Sequence, residues 1–301
     1  TIEPGAPVVR TWFVIFADTY EAEKSPLANR VSSLVELLVS FGWKLPYEEH
    51  RLAWSRYLEA SSVRVPDAKI QRLYDVGQYH LRCDTTRWSF PVGIFPHHWQ
   101  GKYFGFDEMY VHDGLVTANH IAEARRCPDW RKAVMPWALL RQSHYNTPGK
   151  WGARWTWMSI EDGEMETARV GFWLDHIFNM GTICRSAWTQ YLYSDDLDYL
   201  KTTGFPIMLE CARFFRNNRV LEGKDGEAYL DRCTDLERLG PSRERAFMTT
   251  CCAIYTLRSA AEAAELLGTN LDEATDFRST ADRLVKGLPS RDGRYIAYAG
   301  C

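Results

Sequence analysis

Between Phe95 and Glu166 the chain concentrates Trp, Tyr, Phe, His, Asp, Glu and Arg more densely than a helical core requires. The first run reads FPHHWQGKYFGFDEMYVHDGL and the second NTPGKWGARWTWMSIEDGEMET. Aromatic faces bury the C–H surfaces of a sugar, and interleaved carboxylates and guanidiniums hydrogen-bond its hydroxyls, so this mixture suits a carbohydrate pocket. Two carboxylates beside such a pocket suffice to cleave a glycosidic bond. Asp107, between Phe106 and Met109 in an aromatic setting, can accept two sugar hydroxyls; its plainer role is an N-cap for a helix over 108–125. Arg154, between Ala153 and Trp155, can stack on an indole and clamp a hydroxyl, or else form a core ion pair with Glu161 or Glu164. Trp99, Trp155 and Trp157 are stacking platforms or core rings. His97, His98, Asp107 and His112 invite a metal, but adjacent histidines in an extended segment point to opposite sides, and no metal is expected.

The rest of the chain limits what such a pocket can belong to. With 301 residues, 46% of them hydrophobic, it can bury a sizeable core in one large domain or two ordinary ones. The formal charge of −3 mixes both signs throughout, which excludes the basic footprint of a nucleic-acid binder or a polybasic membrane-surface helix. No apolar run approaches the roughly 20 residues of a membrane span. The eight cysteines show no metal-ligand spacing. Cys184, Cys211, Cys251 and Cys252 sit among apolar residues and read as small buried hydrophobes, which favours a reducing, cytoplasmic compartment.

Helices must position the pocket. APVVRTWFVIFAD alternates like a strand after the turn Pro4-Gly5 and is expected to belong to an upstream β domain. SPLANRVSSLVELLVSF then opens with a Ser-Pro helix start and repeats apolar residues at helical spacing. A second helix is expected from Tyr47 to about Ala60, and Asp67 is placed to cap a third. Further helices are expected at 107–125, 129–143, 168–193, 195–217, 244–267 and 270–286, with almost no strand pattern beyond residue 24. The bulk is therefore all-α, without a fixed repeat. The long loops at 84–106, 144–167 and 218–243 hold the aromatic and acidic residues.

Four stretches resemble glycoside hydrolase family 65, the trehalose, maltose and kojibiose phosphorylases and related α-glucosidases. They are GKYFGFDEM, the run from Gly152 through Trp157 to Gly163-Glu164, DHIFNMGTICRSAWTQYLYSDDLDYLKTTGFPIMLECARFF, and CTDLERLGPSRERAFMTTCCAIYTL. The resemblance implies an N-terminal β-sandwich, a helical linker and an (α/α)6 barrel. It divides this chain into 1–23 as the last strand of the sandwich, 24–66 as the linker and 67–301 as a partial catalytic barrel. A gap-free alignment puts Glu237 at the family's general acid. The implied substrate contacts are Trp99, Lys102, Phe106, Asp107, Arg154, Trp155, Trp157 and Glu164, with Asp107, Arg154, Trp155 and Glu164 converging in a sugar-sized cleft at one end of the barrel.

Phe106 stands where the family usually has Trp, Glu108-Met109 replaces its Thr-Glu, and Leu236 replaces the Asn before the acid, which bears on the glucose contacts. The family's general base or phosphate-binding loop comes later in the barrel than Cys301, so a fragment is expected and hydrolysis and phosphorolysis both stay open. The implied activity is inverting cleavage of a di- or oligosaccharide, with no cofactor beyond inorganic phosphate as co-substrate of a phosphorylase. A non-catalytic sugar-binding barrel, and a rhamnosidase or glucoamylase-like hydrolase, are the alternatives. The expected partner is a small carbohydrate and neither nucleic acid nor membrane, with a homodimer left open.

Overall fold

The computed structural model describes residue 5 and residues 10–17, 26–94, 98–99, 101–141, 152–163, 175–235 and 242–301. The chain forms two compact units, 1–62 and 63–301.

In the first unit, α1 (Leu27–Phe41) ends at Gly42, whose φ of 67° and N–H bond to Leu38 stop the helix as glycine readily does. α2 (Lys44–Glu59) follows almost at once, and within it Trp54 meets Tyr57 edge-on at 5.9 Å. Both helices fall within the stretch 24–66. Residues 10–17, expected as the last strand of a sandwich, carry no strand pairing. Trp12 and Phe16 are 84% and 87% exposed. Alternation describes a strand, but its N–H and C=O groups also need a partner, and the described residues of this unit supply none.

The second unit is helical. α3 (Ala68–Asp84) starts where Asp67 accepts hydrogen bonds from Lys69 N and Ile70 N at 2.8 and 3.1 Å, as expected of an N-cap. The helix expected over 107–125 is instead α4 (Gly105–Thr117) and the single turn α5 (Ile121–Ala124), separated at Asn119, whose φ is 62°. Two short helices, α6 (Arg126–Ala133) and α7 (Met135–Arg141), occupy the stretch expected as one. Pro128 and Pro136 each sit in a first turn, where a missing N–H costs nothing, so each marks a new start.

α8 (Asn179–Ser194) begins later than expected and ends at Asp195 in the left-handed conformation. The segment expected as one helix over 195–217 comprises a short turn α9 (Leu197–Tyr199), a π-helical turn at Leu200–Gly204, and α10 (Phe205–Asn218). A small hairpin joins β1 (Val220–Glu222) to β2 (Ala228–Leu230), pairing Val220 with Leu230. α11 (Phe247–Leu267) and α12 (Leu271–Lys286) follow, and a second hairpin pairs β3 (Ser290–Arg291) with β4 (Arg294–Tyr295).

The core lies where α8 meets α4, α10 and α11, and α11 meets α12. Ile183, Ala187, Ile207, Met208, Phe214, Phe215, Leu257, Phe277 and Leu284 are buried there, each large side chain contributing about 1.5–3 kcal/mol by leaving water. Alanines 253, 260, 261, 263 and 264 of α11 let its neighbours approach closely. Gly181 of α8 does the same, since a Cβ there would overlap Cys252.

Candidate active site

An aromatic cluster forms where two loops are stitched together. Tyr103 and Ser159 exchange backbone hydrogen bonds of 2.9 and 3.0 Å, which aligns the segment 98–104 with the segment 155–160. Tyr103 anchors this stitch: its buried ring packs 4.8 Å from Trp130, and burial pushes its phenol up to about 12. Phe104 then meets Trp157 at 5.5 Å and Trp99 at 6.4 Å. Trp157 packs against His176 at 4.3 Å, the rings tilted by 42°, and meets Phe178 edge-on at 5.8 Å. Phe106 joins Phe178 to Tyr110, at 5.6 and 5.2 Å. Phe104, His176 and Phe178 are buried, whereas Trp99 is 49% exposed and Trp157 and Phe106 are partly exposed. The cluster therefore has a core side and a wet side, and Trp99, Phe106 and Trp157 are its wet side. Lys102, whose N–H binds Trp99 O at 3.1 Å, lies in the same loop.

Asp107 is the third residue of α4 and not its N-cap, a position held by Phe104 without a side-chain cap. Its carboxylate and that of Glu108 lie in the first turn, where the helix dipole favours them. One residue apart, the two point differently: Asp107 is partly exposed beside Phe106, while Glu108 is buried and bound by Ser89 Oγ and the Arg131 guanidinium.

Arg154 and Trp155 are placed by backbone bonds to two helices. Ala153 N donates to Glu210 O and Arg154 N to Ala138 O, at 3.1 and 2.8 Å, which seats this segment on α10 and α7. Trp155 is buried and its indole donates to Arg131 O at 3.2 Å, which makes it a core ring instead of the expected platform. Arg154 is fully buried beside a cavity of about 10 Å³ lined by Trp137, Arg141, Thr156, Ser159 and Gly163. That is room for one water and not for a sugar. Glu164, and Glu237 with it, lie outside the described residues.

The described residues flanking Glu237 are nonetheless tied to the cluster. Cys233 and Arg243 exchange hydrogen bonds of 3.0 and 2.8 Å. Thr234 bridges to His176, with Thr234 N bound to Asp175 O at 3.1 Å, and Ser242 Oγ donates to the Asp175 carboxylate. Buried Asp235 accepts from Met248 N, Thr249 N and Thr249 Oγ1 at 3.2, 2.7 and 2.7 Å. It thereby serves the start of α11, whose own N-cap, Ala246, has no side chain for the task. Burial holds the His176 imidazole down at about 4. His176 is neutral at pH 7.

Sequence reasoning passed over Phe104, His176, Phe178 and Asp235. The available signal was DHIF directly before a helix, an aromatic-rich run with a His where a plain cap would suffice. Asp235 gave none, because it caps a helix that starts twelve residues later. Among the described residues no group of three or more His, Cys, Asp or Glu is placed to hold an ion, and His97 lies outside them. His112 is buried against Gln190 at 3.2 Å and held down at about 4 by that burial. Among the described residues no helix is long and apolar enough to cross a membrane.

The sequence model of the glycosyl hydrolase family 95 catalytic domain matches residues 140–294, just over half of the chain. The chain belongs to glycosyl hydrolase family 95. The matched stretch contains Arg154, Trp157, His176, Asp235 and Glu237. Two proteins named kojibiose hydrolase, from Flavobacterium johnsoniae and Mucilaginibacter mallensis, are 24% and 25% identical to this family 95 chain over 73% and 74% of its length. The chain spans about a third of each of those relatives, 32% and 33%. A solved structure named "Putative kojibiose phosphorylase from human microbiome" superposes with a TM-score of 0.68 at 9% identity, over 93% of this chain and 38% of that one. A glycosidase solved in complex with glucose superposes with a TM-score of 0.56 at 14% identity, over 79% of this chain and 63% of that one. At such identities the likeness speaks for the fold: the second unit is part of an (α/α)6 barrel. Family 65, which the motifs resemble, and family 95, which the match shows, meet in that barrel.

Proposed function

We propose that this chain carries the sugar-contacting face of an enzyme that cleaves the glycosidic bond of a di- or oligosaccharide, with Glu237 as general acid. The observation that carries the proposal is the tie between the aromatic cluster and the bases of the segment holding Glu237, through Trp157, His176 and Thr234. A sugar ring laid on the exposed edges of Trp99 and Trp157 has Asp107 and Lys102 nearby to bind its hydroxyls. The names of the relatives support an α-linked glucose disaccharide of the kojibiose type. A hydrolase and a phosphorylase among those names fit water or inorganic phosphate as the attacking group, and inversion at the anomeric carbon is the course we propose for it.

In the full-length protein, Glu237→Gln is expected to lose about three orders of magnitude in turnover of kojibiose. A glycosyl fluoride, whose leaving group needs less protonation, should suffer far less. Near wild-type turnover of the disaccharide, or equal loss on both substrates, would remove Glu237 from the role. Measuring turnover with and without phosphate separates hydrolysis from phosphorolysis.

A further inference from the structure

We propose that the exposed face of α4 holds the second sugar ring of the substrate, the one that leaves, with Tyr110 as its platform and the Asp113–Arg185 ion pair as its hydrogen-bonding edge. The inference rests on the reading of the chain as part of an enzyme that cleaves glycosidic bonds. It adds a binding site for the leaving sugar beside the one at Trp99 and Trp157.

The aromatic cluster has a second wet edge. Phe106 meets buried Phe178 at 5.6 Å on one side and Tyr110 at 5.2 Å on the other, so the row of rings that starts at Trp99 runs on along α4. Tyr110 is 59% exposed among the described residues, more open than Trp99. Phe106, Tyr110 and Asp113 stand at i, i+4 and i+7 on one stripe of the helix, while Glu108, Met109 and His112 are buried. α8 reaches the same stripe with one polar side chain: from Asn179 to Trp188 every residue but Arg185 is buried. Arg185 Nη1 donates to Asp113 Oδ2 at 2.6 Å. That bond uses one carboxylate oxygen and one guanidinium nitrogen, so the other oxygen can accept from a ring hydroxyl and the remaining N–H groups can donate to one. The two charges cancel, which suits a neutral polyol and gives an ionic ligand no advantage. A phenol offers an apolar face and a hydroxyl at low cost in side-chain entropy, as a sugar platform needs. Residues three apart on a helix have Cβ atoms about 5–6 Å apart, so Tyr110 and Asp113 can touch the same sugar. The leaving sugar must escape to solvent once the bond breaks, and of the two wet edges the one at Tyr110 is the more open.

The test uses the full-length protein with α-linked glucose disaccharides, kojibiose first, whose leaving group is a sugar, and with glucosyl fluoride, whose leaving group is not. Tyr110→Ala is expected to raise KM for the disaccharide about 10-fold, with kcat/KM for the fluoride within about threefold of wild type. Tyr110→Phe, which keeps the platform, should restore the disaccharide KM to within about threefold. Asp113→Ala, which removes one member of the pair, should show the same selectivity at about 5-fold. Both positions are open to solvent, so the variants fold, and thermal unfolding checks it. Trp157→Ala, on the edge that takes the other ring, should impair both substrates. Loss on disaccharide and fluoride alike after Tyr110→Ala, or on neither, overturns the second site and leaves the glycosidase reading standing. Turnover of the fluoride but of no disaccharide by the wild type overturns it as well. If the wild type turns over neither, the glycosidase reading falls and the site for the leaving sugar falls with it.

Discussion

Glu108 and Arg131 form an ion pair sealed from solvent, with Ser89 as a third partner. Such a pair adds little by itself, because desolvation consumes most of its Coulomb energy, but losing one partner strands the other. Glu108→Ala should therefore destabilise the protein by about 3–5 kcal/mol, seen as a lower denaturation midpoint. Asp84, the last residue of α3, is the opposite case: it is buried and its Oδ1 has no hydrogen-bond partner among the described residues. Burial raises its carboxyl from 3.8 to about 6. Between those two values the folded chain keeps a proton that the unfolded chain has lost, so stability falls as pH rises through this window and stays lower above it. Asp84→Asn should remove that penalty, gaining up to about 3 kcal/mol at pH 7–8 and almost nothing at pH 4, in denaturant titrations at the two pH values. From sequence, Asp107 and Glu108 were two neighbouring carboxylates in one aromatic run, and only the rotation of α4 separates the partly exposed one from the buried one. Trp155 and Trp157 posed the same problem. Composition placed both in the site, and burial assigned the first to the core.

Loops, more than helices, decide where the site sits, and Gly152 is the most constrained point among them. Its φ is 143°, and a Cβ would overlap the backbone N and Cα of Phe214 in α10. Gly152→Ala must push the 152–160 segment off α10, breaking the bond from Ala153 N to Glu210 O and shifting Trp157 with it. We expect both a lower Tm and a raised KM for the disaccharide, because Trp157 moves with the segment. The helices themselves were legible wherever a broad apolar stripe met a local start or stop, as at Asp67 for α3 and Gly268 for α11. They were misjudged where non-local pairing overrode local preference. Asp175 to Phe178 continue a helical pattern in sequence, yet His176 pairs with Thr234 and α8 starts only at Asn179, whose side chain binds Trp155 O and Thr156 O at 3.0 Å.

At the scale of the molecule, the chain spans about a third of the kojibiose hydrolases it resembles, 32% and 33%. The stereochemistry of the whole protein's reaction is therefore the sharpest test of the family chemistry. An α-glucoside should give a first-formed β-product, visible by proton NMR before mutarotation, and a retained α-anomer would exclude the inverting arrangement. The all-α class was readable from the change of period near residue 24 and the helical spacing that follows. The meeting of loops 98–104, 152–163, 175–178 and 231–235 was not, because several of their contacts join residues more than fifty positions apart that no periodicity links.

The π-helical turn at Leu200–Gly204 carries one residue more than an α-helical path between the same ends would need. In the terms of chain history it is an absorbed insertion: the extra residue bulges within the turn, and α10 continues with its buried side still turned inward. Relatives should then differ by a single residue in length at this point. Deleting the exposed Thr202 should let the turn close to α-helical pairing with Phe214 and Phe215 still in the core and Tm little changed. The same deletion made inside α10 would swing those two rings by about 100° and cost the fold its centre.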